Sequence, residues 1–309
     1  MKFAFFFPGQ GSQSVGMMQG LADVALVRDT FVEASDILGV DFWKMVTEPN
    51  EMLNQTTHTQ PLMLTAGVAT WRAWRAQSEL QPYVMAGHSL GEYTALVAAG
   101  ALSFKDALPL VRFRAQAMQS AVADGVGAMA AILGLDDDAV RAVCAEAAQD
   151  QVLEAVNLNS PGQVVIAGNK EAVERGMEIA KNKGAKRALP LPVSVPSHCA
   201  LMKPAAQELS AYLQDVQLAT PAISVLHNAD VAAYTDTDKI KDALIRQLYS
   251  PVRWVETVHA VSSLGANASA ECGPGKVLAG LTKRIVAELP CFALTSQQSI
   301  SEAQPLFNS

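Results

Sequence analysis

The chain has 309 residues, of which 50% are hydrophobic and 17% are charged, and its formal net charge is −7. This composition excludes a disordered chain, and it is enough for one large core or for one core with a small appended domain. The negative charge and the lack of a long basic run argue against a nucleic-acid-binding protein.

The cysteines and the N-terminus bear on the compartment. The four cysteines lie far apart without a C-x-x-C pair, which indicates neither a zinc site nor a disulfide framework: Cys144, Cys199, Cys272 and Cys291. The apolar run near the N-terminus ends at Pro8 and is too short for a signal peptide. No segment approaches the roughly 20 apolar residues of a membrane span. We therefore expect a soluble protein in a reducing cytoplasm.

The first predicted elements are a buried strand and two helices. Residues 3–7 form an apolar run typical of a buried strand, and a loop follows at 8–13. Helical patterns follow at 29–38 and 61–76. Pro61 suits the first position of the second helix, because its missing N–H would have no partner there.

A G-x-S-x-G pattern at 87–91 lies between a predicted strand, 83–86, and a predicted helix, 92–99. The pattern alone is weak, since about one chain in ten of this length has it by chance. Its strand-turn-helix setting is that of a nucleophile elbow, which holds the serine outward at a helix N-terminus. We therefore predict that Ser89 is a nucleophile, and an ordinary glycine-rich turn is the alternative.

Two further features bear on this hypothesis. In a sheet of this kind, the loop after the first strand supplies a second oxyanion donor, which makes the backbone N–H of Gln10 a candidate; a plain glycine turn is an equally good interpretation. The helix predicted at 104–122 carries Arg112 and Arg114, which point in different directions. One can be solvated, but the other faces inward only if it meets an anion, because a guanidinium is not buried unpaired.

From Gly125 the pattern of elements changes. Predicted strands at 128–135, 151–157, 163–167 and 185–193 enclose two helices in the order strand, helix, strand, strand, helix, strand. This order is that of a ferredoxin-like subdomain. We predict such a small subdomain at 125–197, inserted into a discontinuous catalytic domain formed by 1–124 and 198–309.

Parallel-sheet patterns resume after the insertion. A helix to about 213 is followed by a strand at 223–227, helices at 237–249 and from 251, and a strand and helix at 268–272 and 276–289. The tail after Leu294 is polar, and we expect it to fray. The fold class is therefore predicted to be α/β.

A serine nucleophile needs a base, and the chain has five histidines. His198 is the best candidate, because it stands in a proline-marked loop where the insertion rejoins the sheet. His227 ends a strand and stays open as an alternative. His88 sits inside the elbow and is interpreted as structural, and His58 and His259 lie in surface contexts. No Asp or Glu presents itself as a third member, which leaves a backbone carbonyl to orient the base.

Eight segments, in order and over nearly the whole chain, resemble the malonyl-CoA:acyl carrier protein transacylases and the acyltransferase domains of fatty-acid and polyketide synthases. Eight such segments in the same order indicate this family very specifically, whereas the nucleophile-elbow pattern alone would not. The segments are F-P-G-Q-G-S-Q at 7–13, T-Q-P at 59–61, G-H-S-L-G-E at 87–92, V-R-F-R at 111–114, N-S-P-G-Q-V-V-I-A-G at 159–168, P-V-S-V-P-S-H at 192–198, R-Q-L at 246–248 and G-P-G-K-V-L at 273–278.

The resemblance implies a fold and a set of roles. The fold would be an α/β-hydrolase-like, mostly parallel sheet flanked by helices, with the ferredoxin-like insertion. Ser89 would be the nucleophile and His198 its base. The backbone N–H groups of Gln10 and Leu90 would form the oxyanion hole, and Arg114 would bind the malonyl carboxylate. The backbone carbonyl of Gln247 would orient His198. Gln60, Asn159 and Ser197 would line the pocket.

The same resemblance implies ping-pong transfer of malonyl from malonyl-CoA to the phosphopantetheine thiol of acyl carrier protein, by a monomer that needs no metal and no other cofactor. A separate chain without fused synthase domains favours fatty-acid synthesis. The acidic carrier protein would dock on local basic residues, and the alternative for any one of them is an ordinary solvated surface cation. The candidates are Lys186, Arg187, Lys203, Lys276, Lys283 and Arg284. The alternatives are a thioesterase or esterase of related fold, a polyketide-pathway acyltransferase, and a carrier-binding module with a decayed site.

Overall fold

Two β-sheets organise the part of the chain that the computed structural model describes, residues 1–193 and 195–308. Ser194, which belongs to the P-V-S-V-P-S-H segment and to the predicted insertion, and Ser309 lie outside the described residues. The strands are β1 Phe3–Phe7, β2 Val84–Gly87, β3 Gly127–Leu133, β4 Leu153–Ser160, β5 Gln163–Asn169, β6 Arg187–Pro190, β7 Ser224–Leu226, β8 Ala268–Glu271 and β9 Cys291–Ala293.

The helices pack on both faces of the first sheet and against the second. They are α1 Ala25–Leu38, α2 Phe42–Thr47, α3 Thr56–Gln77, α4 Gly91–Ala98, α5 Phe104–Ser120, α6 Asp137–Ala148, α7 Lys170–Asn182, α8 Lys203–Gln214, α9 Thr237–Gln247, α10 Trp254–Ser263, α11 Val277–Ile285 and α12 Gln297–Phe307.

The larger sheet is parallel and has the strand order β7-β2-β1-β8-β9. Its central strand, β1, is buried at every position, which is why it is a continuous apolar run rather than an alternating one. Phe7 pairs with Gly87, and Phe6 pairs with Glu271. The carboxyl ends of these strands therefore lie along one edge, where the loops after β1, β2 and β7 meet.

The smaller sheet is antiparallel and has the order β4-β5-β3-β6, with α6 and α7 packed against it. This is the arrangement expected of the ferredoxin-like insertion. The α/β fold class, with a parallel sheet flanked by helices and a separate antiparallel sheet, is confirmed. The subdomain boundaries at 125 and 197 stay a prediction.

The predicted fraying of the tail is wrong. Residues after Leu294 form α12, whose Phe307 is 1% exposed and stacks on Phe3 with ring centroids 4.4 Å apart. Ile300, Ala303 and Phe307 are spaced at three and four residues, so they form one apolar stripe that the polar composition of the segment hides. A capping box between Ser296 and Ser299 begins the helix.

The position predicted for Pro61 is also wrong. Helix α3 begins at Thr56, so the proline lies in its second turn rather than at its first position. The turn before it is held by the Thr59 hydroxyl, which donates to the carbonyls of Leu53 and Gln55. Because the helix begins earlier, Gln60 belongs to α3 and is buried.

Candidate active site

Ser89 lies at the sharp turn between β2 and α4. Its φ of 51° is in the left-handed region, which costs a non-glycine residue about 1–2 kcal/mol. A Cβ atom on Gly87 would lie 1.8 Å from the carbonyl carbon of Gly91, so the backbone on the two sides of the serine is too close for any side chain there. The strained turn holds the Ser89 hydroxyl outward, as the elbow hypothesis expects.

The Ser89 hydroxyl meets His198. Its Oγ lies 2.8 Å from His198 Nε2, and Nδ1 of the same ring lies 2.7 Å from the backbone carbonyl oxygen of Gln247. A carbonyl oxygen only accepts, so Nδ1 carries the proton and the lone pair of Nε2 faces the serine. The Gln247 carbonyl thus occupies the position that an acidic residue would take in a Ser-His-Asp triad.

His198 is neutral at physiological pH. Burial, and then the positive charge of Arg114, lower the pKa of its imidazole to about 3, although the Gln247 carbonyl acts in the opposite direction. A neutral imidazole with a free lone pair is the form that accepts a proton. The imidazole is therefore in the form that can accept a proton from the Ser89 hydroxyl 2.8 Å away.

The two residues predicted for the oxyanion hole lie beside the same cavity as Ser89. Gln10 and Leu90 both line the cavity, and none of the hydrogen bonds in the described part of the chain uses their backbone N–H groups. Their loops approach closely, since a Cβ atom on Gly9 would lie 2.3 Å from the carbonyl oxygen of His88 and 3.6 Å from the Leu90 nitrogen. An oxyanion hole requires free N–H donors of this kind, and the assignment of Gln10 and Leu90 to it stays a prediction.

Arg114 is buried within reach of Ser89. Its Nη1 donates to Gln60 Oε1 at 2.8 Å, and its Nη2 donates to Gln247 Oε1 at 2.9 Å and lies 3.4 Å from Ser89 Oγ. Arg112, by contrast, is half-buried and donates to the Leu38 carbonyl. No carboxylate of the described chain pairs with Arg114, so two neutral amides orient a cation whose charge stays available to a ligand.

A cavity of about 520 Å³ opens onto these groups. The antiparallel sheet and the segment after it form one wall, through Met129, Asn157 and Val193. Gln60 and Ser197 line it as predicted, but Asn159 does not, because its Oδ1 is bonded to His88 Nε2 at 2.8 Å. His88 itself lines the cavity, which its interpretation as a purely structural residue did not anticipate.

Two polar residues behind the elbow, Asn228 and Glu92, were not predicted as part of the site. The Asn228 amide accepts from Ser89 N–H at 2.7 Å and donates to the Gly87 carbonyl at 2.6 Å. Glu92 is fully buried and is bonded to His227 Nδ1 at 2.7 Å, so that histidine contacts Glu92 rather than Ser89. Two signals were available: Glu92 belongs to the quoted G-H-S-L-G-E segment, and Asn228 follows a predicted strand.

Comparison with known proteins decides the family. Residues 4–300 match the model of the acyl transferase domain. This chain belongs to the acyl transferase family. The acyltransferase is 55% identical, over 98% of both chains, to the malonyl CoA-acyl carrier protein transacylase of Haemophilus influenzae, and 54% identical, over 99% of both, to that of Escherichia coli K12.

Solved structures agree with this assignment. The acyltransferase superposes with a TM-score of 0.97 on the acyl-carrier-protein S-malonyltransferase of Burkholderia pseudomallei, at 61% identity over 99% of this chain and 100% of that one. It also superposes, with a TM-score of 0.97 and 51% identity over 99% and 100% of the chains, on a malonyl-transacylase in complex with its type II PKS acyl-carrier protein. The expected family and enzyme class are confirmed. Within the described ranges, no helix of the acyltransferase is long and apolar enough to cross a membrane.

Proposed function

We propose that this acyltransferase transfers malonyl from malonyl-CoA to the phosphopantetheine thiol of acyl carrier protein, and that it thereby supplies fatty-acid synthesis. One observation carries the proposal: the Ser89 hydroxyl lies 2.8 Å from a neutral imidazole and 3.4 Å from a guanidinium that no carboxylate of the described chain neutralises. The first group makes the serine a nucleophile, and the second selects an acyl group with a free carboxylate.

The first half-reaction loads the serine. His198 Nε2 takes the Ser89 proton as Oγ attacks the thioester carbonyl, and the resulting oxyanion accepts from the N–H groups of Gln10 and Leu90, each worth roughly 3 kcal/mol. When the intermediate collapses, the carbon–sulfur bond breaks and the imidazolium protonates the departing coenzyme A thiolate. The product is a malonyl ester on Ser89.

The second half-reaction runs the same steps toward a new thiol. The phosphopantetheine thiol of the carrier protein gives its proton to His198 and attacks the ester carbonyl, and the oxyanion occupies the same two donors. The ester bond to Ser89 then breaks, and the imidazolium returns its proton to the serine oxygen. Every proton taken is returned, so the cycle calls for no metal ion and no redox cofactor.

Arg114 sets the substrate class. A planar guanidinium binds a carboxylate through two charge-assisted hydrogen bonds. In malonyl the carboxylate is one methylene from the reacting carbonyl, which suits a cation 3.4 Å from the attacking oxygen. Acetyl would leave the buried guanidinium unpaired, and sites of this kind discriminate by something on the order of 10⁴.

The compartment, the oligomeric state and the docking surface are part of the same proposal. The four cysteines are free, and burial raises the pKa of the Cys199 thiol to about 12, as suits unreactive thiols in a reducing cytoplasm. We expect a monomer. The carrier protein would dock on exposed cations, and all the candidates are exposed: Lys186, Arg187, Lys203, Lys276, Lys283 and Arg284.

A transfer assay tests the function. The acyltransferase is mixed with malonyl-CoA and holo acyl carrier protein, and malonyl-carrier and free malonate are both measured by mass spectrometry. We expect malonyl-carrier to form with little malonate. Release of malonate at the same rate without carrier protein would instead indicate the thioesterase alternative.

A polyketide-pathway role is the second candidate. It is favoured by the structural likeness to the malonyl-transacylase that was solved with its type II PKS acyl-carrier protein. The chemistry at Ser89 is the same for both pathways, so only the carrier distinguishes them. A higher kcat/KM with a polyketide carrier than with a fatty-acid carrier would favour this role over fatty-acid synthesis.

A further inference from the structure

The carboxylate of Glu92 lies at the centre of a buried hydrogen-bond network behind the elbow. Glu92 is 0% exposed and sits in the first turn of α4, three residues after Ser89. Its Oε1 is bonded to His227 Nδ1 at 2.7 Å, and its Oε2 accepts from the Asn228 backbone N–H and from Gln247 Nε2, each at 2.9 Å. Because a backbone N–H can only donate, Oε2 is an acceptor, and the Gln247 group beside it is the donor end of the amide.

This arrangement determines which end of the Gln247 amide faces Arg114. The Gln247 amide has a donor end and an acceptor end. Glu92 and the Ser89 carbonyl, 3.0 Å away, both require the donor end, Nε2. The acceptor end, Oε1, is then left for Arg114 Nη2 at 2.9 Å. Were the amide reversed, its NH₂ group would face a guanidinium, which also only donates.

We propose that Glu92 is a positioning residue for malonyl selectivity: by accepting from Gln247 Nε2, it holds the Gln247 carbonyl oxygen toward Arg114 and so fixes the guanidinium that binds the substrate carboxylate. This inference rests on the proposed function. Because the hydrogen bonds connect Glu92 to Arg114 only through the Gln247 amide, Glu92 orients the cation without forming an ion pair with it. A carboxylate in direct contact would compete with malonyl.

The same carboxylate also supports the nucleophile. It accepts from Asn228 N–H, while the Asn228 side chain is bonded to the Ser89 N–H and to the Gly87 carbonyl. Loss of Glu92 would therefore disturb the serine as well as the arginine. The serine is used by every acyl group and the arginine only by malonyl. The ratio of malonyl to acetyl transfer thus isolates the effect on Arg114.

The test compares Glu92→Ala and Glu92→Gln. Acylation by malonyl-CoA and by acetyl-CoA is timed for each variant under single-turnover conditions. In E92A, the Gln247 amide loses its charged acceptor, and we expect the malonyl-to-acetyl ratio to fall roughly 10- to 100-fold, as for a hydrogen bond to a charged group. A merely destabilised protein would lose both activities in proportion, and an unchanged ratio would overturn the proposal.

E92Q is the conservative rescue. Its carbonyl oxygen can still accept from Asn228 and Gln247 while its NH₂ group faces His227. His227 Nε2 has no partner in the described chain, so the ring can move its proton there and accept at Nδ1. We expect E92Q to keep the ratio within about threefold of the wild type, since the bonds that orient Gln247 are retained. A loss equal to that of E92A would overturn the role assigned to the acceptor geometry.

Two further variants complete the design. Glu271→Ala removes another fully buried glutamate, whose carboxylate accepts from Ala279 N–H and has no hydrogen bond to Ser89, Gln247 or Arg114 in the described chain. It should leave the ratio unchanged, and a matching fall would overturn the inference. If E92A does not fold, Glu92→Asp replaces it, because its shorter side chain cannot reach the same donors, and its ratio should also fall. If wild-type Ser89 takes no malonyl at all, it is the proposed function that fails.

Discussion

Two corners of the parallel sheet each place a buried glutamate where a strand passes into a helix, and the glutamates have different surroundings. At the β2–α4 corner, Glu92 receives hydrogen bonds from three residues. At the β8–α11 corner, Glu271 Oε2 accepts from Ala279 N–H at 2.9 Å, and its Oε1 has no partner in the described chain. Burial raises the pKa of Glu271 to about 7, although the helix N–H groups act in the opposite direction.

The difference shows what separates a reactive corner from a structural one. Both corners follow strands that flank the central strand of one sheet, since β2 and β8 each pair with β1. At the first corner, polar groups meet the carboxylate from α9 and from the loop after β7, and the same groups hold Ser89, His198 and Arg114. At the second corner, the carboxylate caps α11 and meets little else. Variants at the first corner should alter chemistry, whereas variants at the second should alter stability.

Removing the base at the β2–α4 corner should cause the largest loss of activity. In His198→Ala, the Ser89 proton has no acceptor, and we expect malonylation of Ser89 to slow by roughly 10⁴-fold or more. Rapid-quench mass spectrometry of the acyl-enzyme measures this rate. Glu271→Gln is the control at the second corner and should acylate like the wild type. A loss below tenfold in H198A would remove the histidine from its role.

Removing the cation should change the choice of substrate. Arg114→Ala loses the partner of the malonyl carboxylate, so we expect kcat/KM for malonyl-CoA to fall by something on the order of 10³–10⁴ relative to that for acetyl-CoA. Competition between the two thioesters in one reaction gives this ratio directly. If the variant still prefers malonyl to the wild-type extent, another group binds the carboxylate.

Pairing Arg114 with a new carboxylate, instead of removing it, should have a smaller effect on malonyl transfer. Gln60→Glu puts a carboxylate on Arg114 Nη1, where it competes with malonyl, and we expect malonyl transfer to drop roughly 100-fold while acetyl transfer changes little. Gln77→Glu introduces the same charge at an exposed position of the same helix and should be silent. Equal behaviour of the two variants in a steady-state assay would contradict the idea that the cation must stay unpaired.

The smallest expected effect is a change with pH in the free energy of unfolding, and it arises from Glu271 at the β8–α11 corner. Glu271 has a folded-state pKa of about 7, above its ordinary value, so the folded protein holds a proton that the unfolded chain has lost between roughly pH 4.5 and 7. The stability tied to this group is therefore full at low pH and is lost as pH rises through 7, by an amount on the order of 3 kcal/mol.

Glu271→Gln has no proton to lose, so it should become progressively more stable than the wild type as pH rises from 5 to 8. Urea denaturation of both proteins at each pH gives the difference, in which other titrating groups cancel. A difference that does not change with pH would show that Glu271 is already ionised in the fold.

Much of the fold and the reacting groups could be predicted from local sequence. The elbow was found because Gly87 and Gly91 flank a serine between a strand and a helix, and His198 because a proline-marked loop rejoins the sheet there. The two arginines on one apolar helix indicated that one could face inward if it met an anion, and the family resemblance assigned that position to Arg114. Each signal lies within a few residues of the group itself.

The supporting network could not be predicted in the same way. Glu92, Asn228 and Gln247 come from three separate elements, and their side chains meet only when the parallel sheet brings those elements to one edge. The ordered tail was missed because its few apolar residues are buried by distant partners such as Phe3. The early start of α3 was missed because a proline in a second turn contradicts local preference and is tolerated only in tertiary context.

Loading of the wild-type protein tests the central claim most directly. The protein is offered malonyl-CoA and acetyl-CoA together without carrier protein, and intact-mass analysis and peptide mapping locate the acyl group. We predict a malonyl ester on Ser89 in large excess over acetyl, and none in Ser89→Ala. Equal loading by the two acyl groups, or an ester on another residue, would contradict the account.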